Sequence, residues 1–241
     1  MAYPFDTAAN IIGDATVELG LRSAAVADPY GSTDPNVLLL CALLKALGQD
    51  LAREHDWTDL QPTHTFDTVA STESYDLPSG FLRIIDDTLW NRTDDQPLIQ
   101  PVGPRGWATL KGSGYSTADL VPRIYRHKLY LTPTPDAAES LAFEYQSDLW
   151  VATDANSTPT LSGPTVATHC CWFDRRLLVC GLKLRFRRGK GFDSTAVQAE
   201  YDSALTFAKG GDGAAPVLSL NGGSSARLIG VGNLPKTGYG S

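Results

Sequence analysis

Histidine, cysteine and aspartate occur in two short clusters whose capacity for metal chemistry can be judged from their spacing. His55-Asp56 matches the start of a metal-phosphohydrolase ligand doublet, and His169-Cys170-Cys171 has the composition of a zinc cluster. A phosphohydrolase site needs further His and Asp ligands at set positions, and adjacent ligands on a helix point in divergent directions. The spacing therefore predicts a His-Asp pair at a helix end and core cysteines, with no metal and no cofactor.

Other catalytic signatures are weak. The sequence contains no Gly-x-Ser-x-Gly nucleophile elbow, no phosphate-binding Gly-rich loop ending in Lys-Ser or Lys-Thr, and no dinucleotide fingerprint. Asp86-Asp87 and Asp94-Asp95 are carboxylate doublets, but a glycosidase needs two carboxylates facing one cleft, and neighbours in a turn point to opposite sides. Aromatic residues in the strands are more often core than sugar platforms. We predict that the protein is not an enzyme, with a glycan hydrolase or carbohydrate-binding β protein as the alternative.

One segment has a charge opposite to that of the whole chain. Between Thr168 and Lys190 seven basic residues face Asp174 alone, a local charge of +6 in a chain of net charge −7. Helical spacing puts several of these cations on one face, which fits contact with an acidic protein surface or nucleic acid. A solvated face stabilised by the helix macrodipole is the alternative. The predicted partner-binding residues are Arg176, Lys183, Arg185 and Arg187, with Arg227, Leu228 and Ile229 near the C-terminus.

Helices are predicted at both ends of the chain. Apolar spacing and capping residues predict helices over 8–19 and from Pro35, with Asp34 as N-cap, to near Trp57. Two more are predicted over 168–188, with an apolar stripe that includes Cys170 and Phe173, and over 194–209, stopped by Gly210 to Gly213. These helices should pack together as one bundle.

The middle of the chain has the alternating pattern of short strands, interrupted by a short helix near 104–110. The predicted fold is therefore α+β: a helical bundle from the N- and C-terminal helices, a central antiparallel β-sandwich or small barrel, and an extended C-terminal tail. The predicted divisions are 1–60 for the first helices, 61–150 for the β-rich domain, 151–167 for a linker, 168–209 for the last helices and 210–241 for a flexible Gly/Ser-rich tail.

Composition limits the environment and the partners. The chain has 241 residues, of which 42% are hydrophobic, enough for a substantial core. Its net charge argues against a dedicated duplex-DNA binder. The longest uninterrupted apolar run, residues 37–44, is too short for a bilayer, so we expect no membrane partner. The cysteines lie in apolar patterns, and we expect neither a disulfide framework nor a signal peptide.

Spaced aromatic and turn residues over about residues 8–150 resemble tailed-phage head-to-tail adaptor proteins, also called head completion or tail adaptor proteins. The residues that carry the resemblance are Glu18-Leu19-Gly20-Leu21, His55-Asp56-Trp57, Thr65-Phe66, Tyr75-Asp76-Leu77-Pro78, Phe81-Leu82-Arg83, Thr88-Leu89-Trp90-Asn91-Arg92, Pro97-Leu98, Gly103-Pro104, Trp107, Leu110-Lys111-Gly112, Leu129-Tyr130-Leu131-Thr132-Pro133-Thr134-Pro135 and Phe143-Glu144-Tyr145.

The resemblance implies a structural role in the virion. It implies a homo-oligomeric ring, commonly a dodecamer, that lies below the portal protein in the neck between capsid and tail. The ring would extend the channel through which genomic DNA passes and would offer a docking platform to tail tube or nozzle proteins. Assembly in the host cytoplasm is expected. The alternative function then becomes a virion-associated glycan hydrolase or carbohydrate-binding β protein.

Overall fold

A computed structural model of the chain describes residues 5–99, 101–113 and 120–212, and it confirms the predicted α+β class. The helices among these residues are α1 (Ala8–Glu18), α2 (Pro35–Glu54), α3 (Pro104–Ser113), α4 (Arg175–Lys190) and α5 (Thr195–Asp212), with a short 3-10 helix at Thr58–Leu60. The predicted tail from 213 onward, including Arg227, Leu228 and Ile229, lies outside the described residues.

The helices begin where side chains satisfy their free backbone N–H groups. The Thr7 hydroxyl accepts a hydrogen bond from the Asn10 backbone N–H at 3.3 Å and starts α1. The Asp34 carboxylate accepts from the Asn36 backbone N–H at 2.9 Å, and Pro35 occupies the first helical position of α2. These starts agree with the predicted ones, because cap and apolar stripe point to the same residues.

The predicted start of the third helix at residue 168 is wrong. Cys170–Cys171 forms strand β11, which pairs on one side with β1 (Asp6–Thr7) and on the other with β10 (Val151–Ala152), both antiparallel. Helix α4 begins only at Arg175, because Asp174 is the true N-cap and accepts from the Leu177 backbone N–H at 2.9 Å. The apolar stripe runs through both elements, so its period misplaced the boundary.

The fourth helix, predicted over 194–209, extends three residues further, and α5 ends at Asp212 within the predicted stop segment Gly210 to Gly213. Glycine costs about 1 kcal/mol in a helix interior, a penalty that tertiary contacts can outweigh. Here the Asp212 carboxylate accepts from the backbone N–H and hydroxyl of Thr58, at 3.0 and 2.8 Å, and lies 3.1 Å from His55 Nε2. These contacts fix the last turn of α5 to the end of α2.

Helix α4 is the centre of the bundle. It packs against α1, α2 and α5, and most of its residues are buried. Gly181 lets the neighbouring helices come close, since a Cβ there would lie 2.6 Å from a methyl group of Leu47 on α2 and 3.2 Å from the Tyr201 ring on α5. The helical core therefore combines both ends of the chain, as predicted.

The β-rich region contains two antiparallel sheets. One has β9 (Ser140–Ser147) at its centre, with β2 (Thr63–Asp67) on one edge and β4 (Phe81–Ile84) and β5 (Trp90–Asn91) on the other; β6 (Gln96–Pro97) extends β5. The second consists of β3 (Ser74–Asp76), β8 (Lys128–Thr132) and β7 (Val121–Tyr125). Side chains of both sheets, Leu131 and Phe143 among them, form one hydrophobic cluster, so the sheets pack as a sandwich.

The predicted linker 151–167 begins with structured residues. Val151 and Ala152 form β10 and are buried, and the adjacent Trp150 lies against α2 in the helical core. The segment therefore joins the β sandwich to the bundle through buried contacts. The division of the chain into domains stays a prediction.

Candidate partner-binding surface

The cations of α4 were predicted to bind a partner, and the structure places most of them in ion pairs within the chain. Lys183 lies between two carboxylates, with Nζ 2.8 Å from Glu18 Oε2 on α1 and 2.9 Å from Glu200 Oε2 on α5. Its side chain is only 10% exposed. This lysine therefore joins three helices, and the stem of its side chain fills space in the bundle.

The charges around Lys183 stabilise one another. Burial alone raises the pKa of Glu18, but the hydrogen bond and charge of Lys183, together with Arg176, outweigh it and hold this pKa below its ordinary value. The hydrogen bond from Lys183 likewise lowers the pKa of Glu200. Burial lowers the pKa of Lys183, yet the two carboxylates more than compensate and leave it raised. All three groups are charged at neutral pH.

The other predicted cations have their own partners. Arg176 binds Glu18 at 2.8 Å, Arg185 binds Asp50 on α2 at 2.7 Å, and Arg187 donates to the Asp193 backbone carbonyl at 3.3 Å. Exposed pairs of this kind contribute about 0–1 kcal/mol each, so they orient helices more than they stabilise them. A partner-binding role for these four residues stays a prediction; Arg176, Lys183 and Arg185 are paired with carboxylates, whereas Arg187 contacts only a neutral carbonyl and keeps its charge unpaired among the described residues.

Sequence reasoning missed the acidic residues of this network. Lys183 and Glu18 are 165 positions apart, and the pairing depends on how α1 and α5 pack on α4. No local spacing rule links them, because helical i,i+4 patterns apply only within one helix.

The histidines and cysteines have structural roles. His55 pairs with Asp212, while its sequence neighbour Asp56 forms an ion pair with Arg83 on β4. His169 Nδ1 accepts from the Thr165 backbone N–H at 3.2 Å. Across the described ranges no group of three or more His, Cys, Asp or Glu residues has a metal-binding arrangement.

The four cysteines are free and buried. Burial raises the pKa of the Cys41 thiol to about 11, and it raises the pKa of the Cys171 thiol further. Thiols of this kind carry almost no thiolate at neutral pH, so they are poor nucleophiles and poor metal ligands. The prediction that they behave as small hydrophobic core residues is confirmed.

The strand aromatics are divided between the interior and the surface, so the prediction that they belong to the core is confirmed only in part. Tyr145 is buried, Tyr75, Trp90 and Tyr130 are half-buried, and Tyr125 is exposed. Asp87 and Asp95, from the two carboxylate doublets, adopt positive φ angles in turns, and neither doublet lines any of the five best-formed pockets of the described residues. The alternative function, a glycan hydrolase or carbohydrate-binding β protein, therefore has less support from these residues.

An exposed apolar surface on α5 has no counterpart in the predicted sites. Phe207 is 79% exposed and lies between a groove shared by α4 and α5 and a second pocket containing Trp57 and Trp172. The groove is walled by the small residues Ala196, Ala199 and Ser203 of α5 and by Cys180 of α4, and the ion-paired Arg176 and Glu200 also line it. Phe207 is the most exposed large hydrophobic residue of the described ranges, and its position beside an apolar groove makes this surface a candidate partner contact.

The helical bundle and the β sandwich together match a known class of protein, since comparison with known families places the chain among the phage head-tail adaptors. More narrowly, the chain belongs to the SU10 adaptor protein family, whose model matches residues 6–216. A search of curated proteins found no match. Membership in this family implies association with portal and tail proteins and a location in the virion neck.

Proposed function

We propose that this adaptor assembles into a homo-oligomeric ring, with twelve copies as the expected number, below the portal of a tailed phage. The ring extends the DNA channel and gives tail tube or nozzle proteins a platform for docking. Copies are made and assembled in the host cytoplasm. The observation that carries the proposal is the family match over residues 6–216, which covers the bundle and the β sandwich together.

The charge of the chain supports a conduit. A channel for DNA should not bind it tightly, and a net charge of −7 repels phosphate. The basic segment on α4 is partly neutralised, because Arg176, Lys183 and Arg185 are paired with carboxylates of the same chain. We expect weak binding to DNA, because the net charge of the whole chain is negative.

Electron microscopy of virions tests the proposal directly. The expected result is ring density from this chain between portal and tail, with the channel continuous through it. A virion neck that lacks the chain contradicts the proposal. Turnover of a cell-wall glycan by the purified protein, lost when carboxylates are changed to amides, favours the alternative function.

A truncation separates the tail from the fold. The boundary belongs after Asp212, since that side chain fixes the last turn of α5 to Thr58 and His55. Removal of residues 213–241 should prevent docking on the portal and leave the thermal unfolding of the body unchanged. Docking of the truncated chain with unchanged affinity refutes a role for Arg227, Leu228 and Ile229.

A further inference from the structure

Helix α2 has two apolar faces, of which the bundle covers one. Its buried stripe includes Val37, Leu44 and Leu51. Leu38, Ala42 and Ala46 are exposed on the opposite side of its first three turns, flanked by the half-buried Leu39 and Leu43. By length and composition α2 resembles a membrane-spanning helix, yet only 39% of its most apolar 18-residue window is buried. The excess apolar surface lies on the outer face.

The outer face of α2 and the groove beside Phe207 are separate surfaces. Lys209 on α5 pairs with Glu54 on α2 at 2.8 Å, so that edge of α5 faces α2. Phe207 is two residues away, about 200° around the helix axis, and it lines the groove on the α4 side. The molecule therefore presents two different apolar faces in two directions.

Two different faces are what a ring requires. A two-fold dimer joins a patch to itself, whereas a closed ring joins one patch to a different patch on the next copy. We infer that the outer face of α2, centred on Leu38 and Ala42, docks in the groove around Phe207 on a second copy of this chain. The inference rests on the proposed ring and identifies the surfaces that build it.

Shape favours this pairing. The groove is walled by small residues, Ala196, Ala199 and Ser203, and bordered by the projecting Phe207 ring. The outer face of α2 offers leucines separated by alanines. Leucine side chains fit beside small residues, and a phenylalanine fits over alanine, which is the interlocking that close helix packing needs.

Charge favours the same pairing. Lys45 and Arg53 are exposed beside the outer face of α2, and neither has an ion-pair partner among the described residues. Asp202 is exposed on α5, one residue from Ser203, and has no ion-pair partner among the described residues, whereas Glu200 on the groove wall is already paired with Lys183 and Arg176. Opposite charges at the rim of an apolar contact fix its register and exclude wrong partners.

A membrane is the less favoured occupant of the α2 face. Peripheral membrane helices carry many Lys and Arg residues on the polar side and bind anionic lipid. Of this helix, only Lys45 and Arg53 are basic, and the whole chain is acidic. A second copy therefore agrees better with the charge.

Cysteine cross-linking between two full-length variants tests the pairing. Ala42→Cys and Ser203→Cys are made separately in a Cys180→Ala background, because Cys180 lines the same groove as Ser203, and the other three native cysteines stay silent because they are buried. The mixture should form cross-linked dimers at least about tenfold faster than a mixture of Ala42→Cys with the control Val69→Cys, whose site is exposed on the β region. Each variant alone should cross-link no faster than that control.

Several outcomes contradict the inference. If the Ala42→Cys/Ser203→Cys mixture cross-links no faster than the Val69→Cys control mixture, the proposed contact does not exist. Fast cross-linking of Ala42→Cys alone indicates instead a two-fold dimer through this face. Leu38→Asp and Phe207→Asp should each slow cross-linking to the control rate, and retention of the fast rate overturns the assignment. Vesicle binding by the wild type that is lost in Leu38→Asp assigns the face to lipid.

The two proposals fail in different ways. If phage that carry Leu38→Asp or Phe207→Asp keep complete rings in the neck, the assignment of these two surfaces to the ring interface is wrong, and the adaptor function stands. If the wild-type chain is absent from the neck, the function fails whatever the cross-linking shows.

Discussion

Replacement of Lys183 by methionine tests whether the bundle depends on the ion pairs at its centre. Methionine keeps most of the stem volume and removes the charge. Hydrogen bonds between charged groups contribute about 1.5–3 kcal/mol each when buried. Glu18 and Glu200 are 34% and 47% exposed, so they regain water when the lysine is removed. We therefore expect the free energy of unfolding to fall by about 2 kcal/mol in total.

The decrease in the free energy of unfolding caused by Lys183→Met should depend on pH. The pKa values of Glu18 and Glu200 are lowered in the folded protein, so their stabilisation is present above the ordinary carboxylate value of about 4.3 and disappears as pH falls through the lowered values. The pKa of Lys183 is raised, so its contribution is present below about 10.4 and disappears as pH rises beyond the folded value. The difference between wild type and Lys183→Met should be largest between these limits.

Urea unfolding followed by circular dichroism measures the effect across pH. The matched control is Lys190→Met on the exposed end of α4, which should change the free energy of unfolding by no more than about 0.5 kcal/mol. A loss for Lys183→Met that is as small as the control refutes the reasoning. So does a loss of equal size at pH 3 and pH 7, because it would come from packing alone.

Three further outcomes follow from the packing. Gly48→Ala should destabilise the fold by about 1–3 kcal/mol in thermal unfolding, since its Cβ would lie 2.0 Å from the Trp150 ring. The control Gly189→Ala has open space around it and should be neutral or stabilising in the same assay. Gln146→Met should stabilise by about 1 kcal/mol in urea, because the buried amide has no hydrogen-bond partner in the described structure; a loss of stability contradicts this. The four thiols should react with a thiol reagent only after unfolding, and rapid labelling of native protein contradicts their burial.

The sequence was a good guide where local chemistry decides the structure. Asp34 and Pro35 start α2, because a cap and a fixed φ angle act on the nearest residues alone. It failed where distant contacts decide. The strand at Cys170–Cys171 exists because β1 and β10 pair with it, and the last turn of α5 exists because Asp212 binds Thr58. Each partner lies far along the chain or in another element, beyond any short pattern.

The same limit applied to the candidate site. The basic spacing of α4 was visible in the sequence, but the use of Lys183 was not, because Glu18 and Glu200 reach it only through helix packing. The outer face of α2 was also not predicted from the sequence. The uninterrupted apolar run 37–44 does not tell which of its leucines lie outside the buried stripe and stay uncovered, and the fold shows that Leu38 is one of them.

Internal pairing of the basic residues leaves long-range repulsion and short-range apolar contact as the main forces between copies. A net charge of −7 on each copy keeps them apart in solution, whereas the exposed rim charges contribute at most about 1 kcal/mol per pair. Salt screens the repulsion beyond about 8 Å at physiological ionic strength and leaves apolar contact intact. Association measured by light scattering should therefore strengthen as salt is raised. A ring held mainly by ion pairs between copies would weaken instead, and that result would contradict the apolar interface.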